Sequence, residues 1–438
     1  MQRLIMEQLL EWKDSSNRKS LLIRGARQVG KSYIVEELGK EFENYVEVNF
    51  EKEPHFADFF NSSLDPLKIV EKIAVAKSVD IIPGKTLLFF DEIQSAPRVI
   101  TALRYFYENM PELHVIAAGS LIEFVLEQTG MPVGRVTMLY LYPLSFKEFL
   151  IASDRKRLID FVDTHSPAVP LTEPFLTLLT EYFAEYMAVG GMPEAVKTWV
   201  SDRDFKKVRT IHNSILNTYT QDFIKYAKKQ QIQNVAKVFS AIPRMLGQKF
   251  IYSHIDDSLK SREIKPALEL LEMAQIIYKI RHSSSNGVPL GSECKDSIFK
   301  TIFLDVGLAQ ALLGLDDGLW IVNTAANIIN RGAIVEAFVG QEILAYSSPH
   351  MHKNLFYWVR EKRNAQAELD YVVSKGAEVI PIEVKSGKTG TLKSLKQFLK
   401  EKEVQKGVHV SPRNFGKEGN IIEIPLFAIW KIWNDTPI

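Results

Sequence analysis

The amino-acid sequence predicts an α/β protein built in three sections, on three observations. Between residues 19 and 150, short continuous apolar runs alternate with helical stretches, the pattern of a parallel sheet covered by helices on both faces. From residue 151 the texture becomes Leu, Tyr, Phe and Ala at helical spacing. After residue 320 a helical stretch gives way to β-rich segments, which marks a second α/β section.

The elements follow in order. Residues 1–13 mix Arg3, Glu7, Glu11 and Lys13 with apolar residues, an amphipathic helix without the continuous apolar core of a signal peptide. Strands are predicted at 21–23, 45–50, 86–90 and 114–118. The helical stretch 158–226 is broken at Gly190-Gly191-Met192-Pro193. Residues 235–305 read as helix, turn, helix and strand pair, with Ile264, Ala267, Leu268, Leu271 and Ala274 as an apolar stripe. The β-rich segments 275–280 and 298–304 flank a turn at Ser283-Ser284-Ser285-Asn286-Gly287, an order like that of a winged helix-turn-helix. Further strands are expected at 355–359, 368–373, 379–384 and 421–425. The expected divisions are 1–150, 151–310 and 311–438.

A chain of 438 residues is long enough for about three domains, each with its own core. Its 46% hydrophobic and 24% charged residues are ordinary for a globular protein, which excludes disordered and fibrous classes. Basic and acidic residues balance at 54 to 53, so the whole-chain charge makes no case for nucleic acid or membrane, although a local patch remains open. A single cysteine, Cys294, and no zinc-like spacing favour a reducing compartment, the cytoplasm. No apolar run approaches about 20 residues, so no membrane span is expected.

Directly after the first strand stands Gly25-Ala26-Arg27-Gln28-Val29-Gly30-Lys31-Ser32, a full match to G-x-x-x-x-G-K-[ST], with a helical segment behind it. Gly25 and Gly30 let successive backbone N–H groups turn toward phosphate oxygens, and the positive end of the helix adds a favourable field. Lys31 is expected at the β/γ-phosphates of ATP, and Ser32 is expected to place its hydroxyl on Mg²⁺. A plain glycine-containing turn is the alternative, weakened by both flanks and by the partner strand downstream. That partner, 86–90, runs into Asp91 and Glu92. Asp91 would hold the magnesium through water at the carboxyl edge of the sheet, and Glu92 would orient the attacking water as general base. Ser120, following Gly119 at the end of the next strand, is a candidate γ-phosphate sensor or an ordinary turn serine. Arg135 is a candidate source of charge for the transferring phosphoryl group, within a protomer or across a subunit interface, or a surface arginine.

Near the other end, Glu368-Leu369-Asp370-Tyr371-Val372-Val373 precedes Val379-Ile380-Pro381-Ile382-Glu383-Val384-Lys385. This looks like the D-x(n)-E-x-K pattern of restriction-endonuclease-like folds. In that chemistry Asp370 and Glu383 hold Mg²⁺ against the scissile phosphate, and Lys385 serves the nucleophilic water. Strand alternation puts Glu383 and Lys385 on one face. Glu336, in the helical stretch 333–344, is a candidate additional acid, and Gln397 a weaker one. The alternatives are solvated strand-end charges, or a fold of this kind kept as an inactive binding module. In the middle section Lys260, Arg262, Lys265, Arg281 and His282 suit either phosphate and base contacts or the solvated face of a protein-packing module.

Taken together, the phosphate loop, Phe90-Asp91-Glu92-Ile93-Gln94, Gly119-Ser120, Gly134-Arg135, Tyr142-Pro143-Leu144-Ser145-Phe146-Lys147-Glu148-Phe149, Gly190-Gly191-Met192-Pro193-Glu194 and Phe303-Leu304-Asp305-Val306-Gly307-Leu308 resemble a prokaryotic family. Its members are AAA+-like P-loop ATPases with a C-terminal domain of uncharacterised function, and the similarity spans nearly the whole chain. The resemblance implies ATP binding, a helical and winged-helix middle and a restriction-endonuclease-like end, and leaves the substrate open. Two functions of different class follow. One is an ATP-driven enzyme or switch whose C-terminal module binds or cleaves DNA or RNA. The other is a regulatory ATPase acting on a protein partner or within a homo-oligomer, with an inactive C-terminal module. A small-molecule kinase also uses such a loop, but the Asp91-Glu92 pair and the multidomain length disfavour it.

Overall fold

The computed structural model describes residues 1–130, 134–226, 231–315, 318, 320, 324, 328, 330–360, 367–387 and 391–433. The chain divides into two compact units, Gln2–Tyr142 with Ser348–His352, and Pro143–Ser347 with Lys353–Ile438. Among the described residues no helix is long and apolar enough to cross a membrane.

The first unit holds β1 (Ser20–Arg24), β2 (Asn44–Asn49), β3 (Thr86–Asp91), β4 (His114–Ala118) and β5 (Val136–Tyr140). They form one parallel sheet in the order β2-β3-β4-β1-β5. β1, β3 and β4 are buried along their whole length, which is why each carries a continuous apolar run, Leu21-Leu22-Ile23, Leu87-Leu88-Phe89-Phe90 and Val115-Ile116-Ala117-Ala118. The helices Lys31–Gly39, Pro66–Lys77 and Arg98–Asn109 belong to this unit. An aromatic cluster fills part of its core, with Phe60 and Phe106 packed 5.3 and 5.7 Å, centroid to centroid, from Phe90. The predicted N-terminal helix is present as Met6–Asp14.

The second unit is helical up to Met273 and then builds a mixed sheet. Its helices Glu173–Val189 and Pro193–Asp202 meet at the predicted break. The strands are β6 (Ile277–Ser283), β7 (Cys294–Phe303), β8 (Leu355–Val359), β9 (Glu368–Lys375), β10 (Glu378–Val384), β11 (Gly407–Ser411), β12 (Gly416–Glu418) and β13 (Ile421–Pro425). Their order is β12-β13-β11-β10-β9-β8-β6-β7. β6 and β7 form the antiparallel pair expected as a wing. They do not stand apart from the C-terminal strands, because β6 pairs in parallel with β8 from Ile280 opposite Leu355 to His282 opposite Tyr357. The expected division at residues 310 and 311 thus falls between strands of one sheet.

Candidate functional site

β1 delivers the chain into the glycine-rich loop and the helix Lys31–Gly39 leads it away. Gly30 holds φ at 96°, a left-handed conformation that strains any side chain. At Gly25 a Cβ would lie 2.4 Å from the carbonyl oxygen of Leu141, so a larger residue requires backbone movement. The buried Arg3 fixes the loop by donating from Nη1 to the Val29 carbonyl at 3.0 Å and from Nη2 to that of Tyr142 at 2.7 Å.

Lys31 is buried, and its Nζ donates to the carbonyls of Gly25 and Ala26, each at 2.9 Å. Burial pulls its pKa down to about 8, against the opposing pull of Glu92 and Asp91. Neutral carbonyls are weaker partners for an ammonium than an anion is, so a phosphate entering the loop competes well for this charge. Ser32 Oγ donates to Asp91 Oδ2 at 2.8 Å, and Asn49 Nδ2 donates to the same oxygen at 3.1 Å. The register of β2 on β3, with Asn49 opposite Asp91, makes the second contact possible. Burial pushes the Asp91 carboxyl up to about 6, although the Ser32 hydrogen bond works the other way. A hydroxyl and a carboxylate side by side are hard oxygen donors, the set that suits Mg²⁺.

Glu92 follows in a left-handed conformation, φ 53° and ψ 46°, and its Oε2 accepts from Gln94 Nε2 at 2.6 Å. Among the described residues Gln94 Oε1 and Ser120 Oγ are buried without hydrogen-bond partners. Gln94 Oε1 lies beside Gly119, the residue before Ser120, where a Cβ would approach it to 2.4 Å. Buried polar atoms in that state cost about 1–3 kcal/mol each unless a water or ligand meets them. The residues present therefore fit a magnesium nucleotide: a loop lysine, a hydroxyl on a carboxylate, and two polar atoms awaiting partners. Arg27 Nη2 lies 3.5 Å from Glu51 Oε2. Arg135 is not brought to the loop; its Nε donates to Glu108 Oε1 at 2.9 Å on the exposed surface.

In the second unit β9 and β10 bring Asp370, Glu383 and Lys385 together as the spacing predicts. Asp370 Oδ2 accepts from the Val384 N–H at 2.7 Å, and Lys385 forms an ion pair with Glu383 Oε1. Glu383 is buried, and its Oε2 has no hydrogen-bond partner among the described residues. Burial, with Asp370 nearby, pushes both Glu383 and Glu336 up to about 7. Glu336 joins the group as expected, but through a residue the sequence did not suggest: Lys300 of β7 donates to Glu336 Oε1 at 3.0 Å and meets Glu368 Oε1 at 2.5 Å. Burial opposes the charge on Lys300, and Glu336, Asp370 and Glu368 overcome it, holding its pKa above the ordinary lysine value. Among the described residues no three His, Cys, Asp or Glu side chains are placed to hold a metal ion. Of the middle-section cations, Arg281 is engaged by Glu272, Asp296 and Asn354, and Lys265 lies 3.8 Å from Glu269. His282 is buried.

The parallel sheet, its loop and the acidic strand end define a P-loop ATPase-like domain of the AAA type. Residues 17–150 match the family model of an AAA domain. Residues 180–318 and 331–427 match two domains of unknown function, DUF8612 and DUF4143. An uncharacterised protein of Haemophilus influenzae is 24% identical over 399 residues, 86% of this chain and 85% of its own. Among solved structures, a Walker-type ATPase of Pyrococcus abyssi is 16% identical, covering 70% of this chain and 94% of its own at a TM-score of 0.45. PCH-2 of Caenorhabditis elegans is 12% identical, covering 46% and 62% at a TM-score of 0.28.

Sequence reasoning missed Arg3, Asn49 and Lys300 as site residues, and quoted Gln94 without giving it a task. Two of these carried a signal. Asn49 closes a strand whose neighbour closes on Asp91, and Lys300 is the one charged residue in Phe299-Lys300-Thr301-Ile302-Phe303. A lone lysine in such a strand needs a buried counter-charge.

Proposed function

We propose that the chain is a Mg²⁺-dependent ATPase, with the phosphate loop and Asp91 as its nucleotide site. The observation that carries this reading is the Ser32 Oγ to Asp91 Oδ2 hydrogen bond, 2.8 Å long, beside a loop whose lysine is held only by carbonyls. Bound magnesium would supply Lewis-acid polarisation of the phosphoryl oxygens. Ser32 and Asp91 would hold it, and Lys31 would exchange its two carbonyls for the β/γ-phosphates. Glu92 would take the proton of the attacking water, with Gln94 orienting its carboxylate through the 2.6 Å hydrogen bond and Ser120 facing the γ-phosphate. Calorimetric titration of ATP into wild type and Lys31→Ala tests this directly. Binding is expected to vanish in the variant, and equal affinity refutes the assignment.

A second reading concerns the C-terminal section, from about residue 311. The adjacency of Asp370 on β9, Glu383 on β10 and Lys385 just beyond it supports a restriction-endonuclease-like module that binds or cleaves DNA or RNA. Loss of cleavage with binding retained would move the chain to a regulatory ATPase whose end module only recognises its partner.

A further inference from the structure

Lys300 is 1% exposed, yet it lies on β7, the edge strand of the eight-stranded sheet. Its ammonium meets Glu336 Oε1 at 3.0 Å and Glu368 Oε1 at 2.5 Å, with the Tyr357 ring 5.3 Å away. These partners come from the helix Gly332–Ala345, from β9 and from β8, so four elements converge on one buried cation. Lys385 neutralises Glu383 Oε1 in the same cluster, while Asp370 is anchored by the Val384 N–H.

We infer that Lys300 is the resident cation of this cluster: its ammonium fills the place between Glu336 and Glu368 that a divalent ion would otherwise take. The inference rests on the restriction-endonuclease-like reading of the module and narrows it. Four carboxylates, Glu336, Glu368, Asp370 and Glu383, share two lysines, and Lys300 takes two of the four to itself. Any metal of the nuclease-like reading would then be held by Asp370 and by Glu383, whose Oε2 is buried and has no hydrogen-bond partner among the described residues. A covalently tethered cation needs no free ion to enter, and removing it leaves its partners buried and mutually repelling.

The test counts Mn²⁺ bound per chain by equilibrium dialysis, on the full-length protein without nucleotide and in an Asp91→Asn background that silences the phosphate loop. Lys300→Met is close in volume and is expected to bind one Mn²⁺ more than its parent, an increment that disappears when Glu336→Gln is added. A folded Lys300→Met protein with an unchanged count overturns the inference. The parent count, compared with Glu383→Gln, reports on the nuclease-like reading alone, so the two failures are distinguishable. Thermal unfolding gives an independent readout where Lys300→Met folds poorly. The Lys300→Met/Glu336→Gln double variant is expected to melt above either single variant, because it removes both buried charges together. Additive losses overturn the inference.

Discussion

ATP affinity should weaken as pH rises through about 8, because the lysine that meets the phosphates loses its proton there. Lys31 is enclosed by the loop and hydrogen-bonded to two neutral carbonyls, so its charged form is under-solvated before nucleotide arrives. ATP selects the charged form. The apparent Kd then scales as one plus the ratio of neutral to charged lysine, which makes binding roughly tenfold weaker at about pH 9 than at about pH 7. An unshifted lysine, at 10.5, would lose almost nothing over that range. The nucleotide's own ionisation is complete below the window, since a terminal phosphate gives up its last proton near pH 6. Unfolding does not mimic the effect. A lysine whose pKa is lowered by folding leaves the folded chain with fewer protons between about 8 and 10.5, so its contribution to stability grows with pH there. Calorimetry at several pH values, in buffers of different ionisation heat, should show proton uptake approaching one per ATP above about pH 8. Lys31→Arg, permanently charged, should flatten the profile wherever it still binds. A wild-type Kd that is constant from about pH 7.5 to 9.5 refutes the reasoning.

Glu92→Gln should keep ATP bound while slowing hydrolysis by about two orders of magnitude or more, measured as phosphate release, because the amide preserves the shape but takes no proton. A wild-type rate in that variant means another group is the base. Asp91→Asn should weaken nucleotide binding in the presence of Mg²⁺ far more than in its absence. In wild type the same magnesium dependence should fade below about pH 6 as the Asp91 carboxyl, raised by burial, takes up its proton. If the C-terminal module is an active nuclease, Asp370→Ala and Lys385→Ala should each abolish Mg²⁺- or Mn²⁺-supported cleavage in a gel assay while leaving ATPase activity intact. Wild-type protein that leaves DNA and RNA uncut with either metal, with and without ATP, refutes the active-nuclease reading.

The phosphate site was legible because its chemistry is local: eight consecutive residues, a strand before and a helix after carry nearly all of it. The strands expected at 21–23, 45–50, 86–90 and 114–118 are present as β1, β2, β3 and β4, and β1, β3 and β4, buried along their whole length, each carry a continuous apolar run. β5 escaped because only its last two residues are fully buried, so Val136-Thr137-Met138-Leu139-Tyr140 carries neither a continuous apolar run nor a clean alternation. The placement of β6 and β7 was not legible for a different reason. An antiparallel pair has the same local pattern whether it stands alone as a wing or extends a larger sheet. What decides is the parallel register of Ile280 with Leu355, 75 residues along the chain. The partners of Lys300, though not the residue itself, were illegible for a related reason, since they come from β9 and the helix Gly332–Ala345, far along the chain.

Three segments that carried the family resemblance received no chemistry from the sequence, and the second unit shows what they do. Tyr186 Oη donates to the Leu144 carbonyl at 2.6 Å, the Gly191 N–H donates to Asp305 Oδ2 at 2.6 Å, and the Phe146 N–H donates to Glu342 Oε1 at 3.0 Å. Asp305 also caps the helix Val306–Leu312 through the Leu308 N–H, and Gln341 joins Val306 to Tyr186. Turns that pass through a core bury backbone N–H and carbonyl groups that no helix or strand satisfies, and side chains must meet them. Burial pushes Asp305 up to about 6 and Glu342 up to about 8, perturbations as large as those at Asp91 and Lys31. A shifted pKa therefore does not by itself separate catalytic from structural residues in this chain. The carboxylates of Asp305 and Glu342 are engaged by backbone N–H groups, as Asp91 is by that of Glu92, whereas Ser120 Oγ, Gln94 Oε1 and Glu383 Oε2 are buried and, among the described residues, have no hydrogen-bond partner. Two of those three atoms flank Glu92 and the end of β4, and the third lies in the carboxylate cluster; Ser153 Oγ and Thr301 Oγ1 are in the same state elsewhere, so it is the coincidence of unmet atoms with the motifs, and not either alone, that singles out these two places.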